Sequence, residues 1–182
     1  GLIFLIPMIF FWLKNTIPQG YKPVILALFI GGGLQGLIGW LMVKSGLVDR
    51  LYVSHYRLAM HLGMALILYY FVIHTAILLY QRRFFEFPKW SPITFLTICI
   101  FIQIISGALT AGIHAGHIYN TWPLMGSSYF PDDSKFIEFL NVNVFDNPSI
   151  VQFIHRNLAY LILGIYIYIL FFVMKDQKEI FR

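Results

Sequence analysis

The sequence predicts an all-α, polytopic transmembrane helix bundle of about five segments, and three observations carry that prediction. Only 12% of the 182 residues are charged and 59% are hydrophobic, about half the charged fraction of a soluble domain. The apolar residues fall in runs of roughly twenty, which as helices cross ~30 Å of hydrocarbon. These runs lack the strict alternation over about ten residues that a membrane β-strand requires. Residues 1–182 read as a single integral membrane domain.

Taken in order, residues 2–13 form a partial span, stopped by Lys14-Asn15 and then Pro18-Gln19-Gly20. Residues 24–43 form a full span, and residues 58–80 another, closed by Gln81-Arg82-Arg83. The span at 93–113 is opened by Ser91-Pro92, a good helix start because proline is tolerated in the first turn. The last span, 150–174, is closed by Lys175. Residues 114–149 form a long outer loop holding Asp132, Asp133, Glu138, Asp146 and many aromatic residues, among them Tyr119, Trp122, Phe130 and Phe139. Its length and aromatic content predict a lid packed down on the bundle, with an interfacial aromatic belt as the alternative. The start of the chain has no basic region or small-residue cleavage site, so it is not a signal peptide. Gly1 reads as lying within a helix whose beginning precedes it.

The formal charge of +5 belongs to membrane topology rather than to nucleic acid, which the sequence does not predict as a partner. Lys14, Lys22, Arg82, Arg83, Lys89, Lys175, Lys178 and Arg182 fall on one side of the alternating spans. Lys44, Arg50, Arg57, Lys135 and Arg156 fall on the other, although its loops are longer. The positive-inside rule places the first group in the cytoplasm. His55, His61, His114, His117 and His155 then lie toward the outer face, and His74 toward the inner half. Cys99 is the only cysteine, so neither an intrachain disulfide nor a thiolate cluster can form, and it reads as a buried inert thiol.

Ionisable residues at the edge of lipid need a reason. Two neutral imidazoles on facing helices can clamp a haem iron axially. His61 lies about four residues into its span and His155 about six into its own, both running inward, so their depths match. Arg57 sits one turn before His61 on the same face, and Arg156 follows His155 directly. Cations there suit a haem with outward propionates. The plainer alternative is a hydrogen-bonded packing role for each histidine, and His74 reads as packing or interfacial. His114 and His117, three apart, are loosely compatible with a surface metal site but have no evident third ligand. A two-haem cytochrome with both ligands on one helix fits poorly. His61 and His74 are thirteen positions apart, which leaves them about 140° from alignment. Small residues at Gly31-Gly32-Gly33, Gly36, Gly39, Gly107, Ala108, Ala111 and Gly112 let helices, or a flat ligand, approach closely. Gln35 and Gln103 each precede such a cluster, which hints at an internal repeat.

Several motifs in order resemble the haem A synthases. They are Leu34-Gln35-Gly36-Leu37-Ile38-Gly39-Trp40-Leu41-Met42-Val43-Lys44-Ser45-Gly46-Leu47, Ser54-His55-Tyr56-Arg57-Leu58-Ala59-Met60-His61-Leu62 and Gly107-Ala108-Leu109-Thr110-Ala111-Gly112. Two more follow: Ala115-Gly116-His117-Ile118-Tyr119-Asn120-Thr121-Trp122-Pro123-Leu124-Met125 and Val151-Gln152-Phe153-Ile154-His155-Arg156. The resemblance implies an eight-helix enzyme of two similar four-helix halves that oxidises a methyl group of haem O to a formyl group, making haem A for cytochrome oxidase. It implies His61 as an iron ligand of the substrate haem O and His155 as an iron ligand of a haem b, with Arg57 and Arg156 as their cofactor-binding neighbours.

By the same resemblance, Gly1 falls just after the Glu-x-x-His-Arg region of the family's second helix, and two further helices follow the fifth span. The expected catalytic carboxylate and one histidine of each pair are then absent from this sequence, and a chain acting alone is expected to have little or no activity. The position of His114 is commonly Asp in the family. Implied partners are membrane lipid, haem O, an electron donor of unknown identity, and either a haem O synthase or a second copy of the chain. The implied location is a bacterial or mitochondrial inner membrane. A membrane b-type cytochrome that carries electrons without modifying haem is the alternative function, and a cofactor-free transporter or assembly protein is a third.

Overall fold

A computed structural model describes residues 1–44, 46 and 52–173. Ser45, Leu47, Arg50 and the tail from Met174, with Lys175, Lys178 and Arg182, lie outside the described residues. Five α-helices follow in order: α1 (Leu2–Leu13), α2 (Tyr21–Lys44), α3 (His55–Tyr80), α4 (Pro92–Gly112) and α5 (Pro148–Tyr168), the last running into a π turn at Ile169–Val173. Among the described residues there is no strand, only an isolated bridge between Met125 and Ser128. Helices α2 to α5 are long and apolar enough to cross a membrane, while α1 is a shorter apolar helix. The protein is an integral membrane helix bundle.

Two helices begin about one turn before their apolar runs, because hydropathy marks the hydrocarbon and not the helix end. In α2 the first turn holds Lys22 and Pro23, where backbone N–H groups have no intrahelical acceptor and proline is tolerated. In α3 it holds His55, Tyr56 and Arg57, residue types that suit a membrane–water boundary. The last two helices start on matching signals. Ser91 caps α4 by accepting from the Thr94 N–H at 3.1 Å, with Pro92 in the first turn. Asn147 caps α5 by accepting from the N–H groups of Ser149 and Ile150 at 3.0 and 3.3 Å, followed by Pro148.

The chain divides into two compact units. The first comprises Gly1–Val53 and Met60–Pro88. In it Phe4 of α1 stacks on Phe29 of α2, with centroids 6.3 Å apart. Gly31 of α2 lies under Leu68 of α3, so close that a Cβ would sit 2.5 Å from Leu68 Cδ2. Tyr21 is 1% exposed and donates its hydroxyl to the Arg83 carbonyl at 2.7 Å, tying the start of α2 to the end of α3.

The second unit comprises Ser54–Ala59 and the described part of Lys89–Arg182. Its centre is the pair α4 and α5. The loop from 114 to 149 carries three short 3-10 helices, Ala115–His117, Phe136–Leu140 and Val144–Asp146. The loop is therefore partly ordered by local turns. His55 Nε2 lies 3.1 Å from Asp146 Oδ1, joining the start of α3 to that loop.

The tightest backbone approach in the second unit is at Gly112, where a Cβ would meet His55 Cβ at 2.6 Å and His55 Cα at 2.8 Å. Backbone cannot swing aside as a side chain can. Gly112→Ala should therefore destabilise the protein by ~1–3 kcal/mol, read as a lower Tm in detergent. Gly164→Ala, at a helical glycine with nothing within 4 Å, should leave Tm unchanged or raise it slightly.

Candidate functional site

Polar side chains within apolar helices need partners, because hydrocarbon supplies no water to satisfy them. In the first unit, Gln35 of α2 meets His61 of α3. Its Nε2 donates to the His61 backbone carbonyl at 3.0 Å and lies 3.1 Å from ring Nδ1 and 3.5 Å from ring Nε2. Gly39, one turn further along α2, makes room for the ring: a Cβ there would lie 2.8 Å from Cε1.

The second unit holds the same arrangement. Gln103 Nε2 of α4 donates to the His155 carbonyl of α5 at 3.1 Å, and lies 3.2 and 3.3 Å from the ring nitrogens. Gly107, again one turn on, faces the ring, with a Cβ 3.3 Å from Cε1. The spacing Gln-x-x-x-Gly recurs because positions i and i+4 stack on one face of a helix. In both sites the glutamine Oε1 is buried and accepts no hydrogen bond. His155 has one further neighbour, Ser106, whose Oγ lies 3.1 Å from Nδ1.

A second face of α5 carries the 114–149 loop. Gln152, 5% exposed, donates to the Tyr119 carbonyl at 2.9 Å and accepts from the Tyr119 N–H at 3.2 Å. One turn later Arg156 donates to the carbonyls of Tyr119 at 2.6 Å and Thr121 at 2.8 Å. Trp122 Nε1 donates to the Tyr160 hydroxyl at 2.7 Å, and Phe130 and Phe139 pack on Phe153 at 5.1 and 6.1 Å between centroids. The loop thus packs on α5, as the lid expectation requires. Its outer edge is exposed at Trp122, Phe136, Leu140 and Val142, and in that respect resembles the interfacial alternative.

Two loop carboxylates are held below the usual carboxyl range. Asp132 accepts from the Ser127 N–H at 2.6 Å and from the hydroxyls of Ser127 and Ser128 at 3.0 Å each. At Asp133, burial pushes the carboxyl up, but hydrogen bonds from Ser149, Tyr119 and Ser134 outweigh it.

The other sequence-predicted residues separate by role. Arg57 is exposed on the first turn of α3. Arg156 is beside His155 in sequence, but its guanidinium is engaged by loop carbonyls. His74 packs between Tyr70 and Phe85 and lies 2.8 Å from the Glu86 carbonyl through Nε2. His114 is exposed in the left-handed conformation at φ 55°, which histidine, like Asp and Asn, adopts more readily than most residues. Ser106 and Gln152 went unnoticed in the sequence. The available signal was the same for both: a polar side chain in an apolar helix must find a partner.

These sites fit an axial contribution to a haem. Each offers an imidazole held at its backbone by a glutamine, on a helix pair kept close by a glycine, and His155 has Ser106 besides. Each also has a buried Oε1 in reserve that can accept a ring N–H if the amide turns. On the same helix as Gln35, Gly32, Gly33 and Gly36 have nothing within 4 Å of a Cβ position, and small residues there let a neighbouring helix or a ligand approach closely.

Four apolar spans with a partly buried glutamine–histidine pair in each unit define a polytopic membrane protein with a repeated histidine site. The chain belongs to the COX15-CtaA family, described as cytochrome oxidase assembly protein, whose profile matches residues 1–182. A protein of Wolbachia pipientis wMel named "Heme A synthase" is 42% identical over 179 residues, covering 90% of this chain and 48% of the relative. Proteins of the same name from Rhodospirillum centenum and Pelagibacter ubique are 40% and 37% identical, covering 87% and 98% of this chain and 44% and 54% of theirs. The chain therefore spans about half the length of the curated relatives it matches. No solved structure matches it.

Gly39→Ala should displace the His61 ring, while Gly107→Ala, with 0.5 Å more room by the distances above, should disturb His155 less. With [13Cε1]-histidine labelling, Gly39→Ala should move the His61 resonance and leave that of His155 in place. For the loop, the sign of the carboxylate effect is set by lowered folded values: the stabilisation is present above the ordinary carboxyl range and lost as pH falls through the folded values. Protection of residues 114–149 from hydrogen exchange should hold from neutral pH to about 5 and fall below about 4. Asp132→Asn with Asp133→Asn should lower protection already at pH 7 and flatten the acid response.

Proposed function

We propose that the chain works as a haem A synthase-type oxidoreductase, in which a methyl group of haem O is oxidised to the formyl group of haem A for cytochrome oxidase. The observation that supports this best is the repeated arrangement of Gln35, Gly39 and His61 and of Gln103, Gly107 and His155. It provides two equivalent imidazoles for two haems, and relatives of about 40% identity carry the name of that activity.

In this reading His61 ligates the iron of substrate haem O and His155 that of a resident haem b. Bound haem supplies the one-electron chemistry at iron. The chain's own residues do the rest. Gln35 and Gln103 hold each imidazole to its neighbouring helix and fix its orientation. Gly39 and Gly107 allow the rings to lie close to the helix backbone. Arg57 sits at the mouth of α3 as a propionate partner, and Arg156 places positive charge beside the His155 site while its N–H groups hold the loop. That loop, packed on α5, shields the site from water.

The sites face the outer side of a bacterial or mitochondrial inner membrane, consistent with the distribution of Lys and Arg. The role calls for an oxidant that takes the four electrons removed when the methyl becomes a formyl group, for an electron donor to the haem iron, and for partners such as a haem O synthase or a second copy of the chain.

His61→Ala and His155→Ala should each remove one of the two haems, halving haem per protein in a pyridine haemochrome assay. The double variant should hold none. Unchanged haem content in both single variants would falsify the assignment. Pigment extraction separates this function from that of an electron-carrying b-type cytochrome: haem O supplied in the membrane, to this chain joined to the helices that the resemblance adds, should be converted to haem A, whereas a cytochrome would return it unmodified.

A further inference from the structure

The two glutamine–histidine sites differ in one polar atom. Three residues after Gln103 stands Ser106, 7% exposed, with its Oγ 3.1 Å from Nδ1 of His155. Three residues after Gln35 stands Ile38. An imidazole that ligates iron through Nε2 carries its proton on Nδ1, and once buried that proton needs an acceptor. A glutamine amide nitrogen only donates, whereas a serine hydroxyl also accepts. His155 therefore has an acceptor for Nδ1–H built in. His61 gains one only if the Gln35 amide turns to present its unpartnered Oε1, giving up the 3.0 Å bond to the His61 carbonyl.

We propose that Ser106 is a positioning residue that fixes His155 as the Nδ1–H tautomer, so that this site holds its haem longer and at a lower reduction potential than the His61 site. The inference rests on the haem-ligand reading above. A hydrogen bond from Nδ1–H to an acceptor makes Nε2 a stronger donor, which favours ferric over ferrous iron. Ile38 leaves the His61 ring without that support, which suits a site that must give up its haem after each turnover. One hydroxyl thereby separates a resident site from an exchanging one.

The test uses the protein purified with both haems, by potentiometric titration and by haem transfer to an excess of apo-globin. Ser106→Ala should raise the midpoint of one haem by about the equivalent of a tenfold change in ferric-to-ferrous preference, ~59 mV for one electron. It should also speed release of that haem about tenfold, with the other haem unaffected. Ser106→Thr, which keeps a hydroxyl, should restore both values. Ile38→Ser should do the reverse at the other site, lowering its midpoint and slowing its release, and carries the same comparison if Ser106→Ala does not survive purification. Both haems bound, with midpoints and release rates unchanged in Ser106→Ala or, in its place, in Ile38→Ser, overturns the role of Ser106 alone. Wild-type protein that binds no haem overturns both this inference and the proposed function.

Discussion

The contact on which the rest depends is the hydrogen bond from a glutamine amide on one membrane helix to the backbone of a histidine on the next. It is made twice, by Gln35 to His61 and by Gln103 to His155. Interhelical hydrogen bonds in membranes contribute only ~0.6–2 kcal/mol each. Their larger effect is geometric. The amide binds the main chain at the residue that carries the imidazole, so it sets helix register and ring position together. Glycine one turn later completes the constraint by removing the atom that would push the ring away.

That constraint leaves α5 with two duties on adjacent faces. His155 is turned to α4, while Gln152, Phe153, Arg156, Asn157 and Tyr160 hold the loop at spacings of three and four. Arg156 is the clearest case of a residue with one sequence meaning and a second structural one. Adjacency to His155 suggests a cation for a ligand, and the geometry gives it the carbonyls of Tyr119 and Thr121. The loop and the site therefore share a support, and a change that frees the loop will also loosen the turn of α5 next to His155.

Much of the fold was legible in composition and run length, because hydrocarbon imposes length and polarity on any helix that crosses it. The helix starts at Tyr21 and His55 were less so, since polar first turns lie outside the apolar run. The histidines stood out for the same physical reason as the spans, as ionisable groups where lipid should begin. Gln35 and Gln103 were visible only as markers of a repeat; that each would meet the backbone of a histidine 26 or 52 residues away is a matter of helix pairing that no local pattern encodes. Ser106 carried only the general signal of a polar residue in an apolar helix, and serine there can equally bond its own backbone. That the loop packs down was read from its length and aromatic residues; which side chains hold it was not, because those partners, above all Gln152 and Ser149, lie beyond it in sequence.

The central claim is that His61 and His155 each present an imidazole nitrogen to haem iron. Electron paramagnetic resonance of the ferric, haem-loaded protein, with [15N]-histidine incorporated, tests it most directly. Histidine ligation requires nitrogen hyperfine coupling that changes with the isotope at two distinct haem sites. Haem without histidine-nitrogen coupling, or protein that takes up no haem, would contradict it.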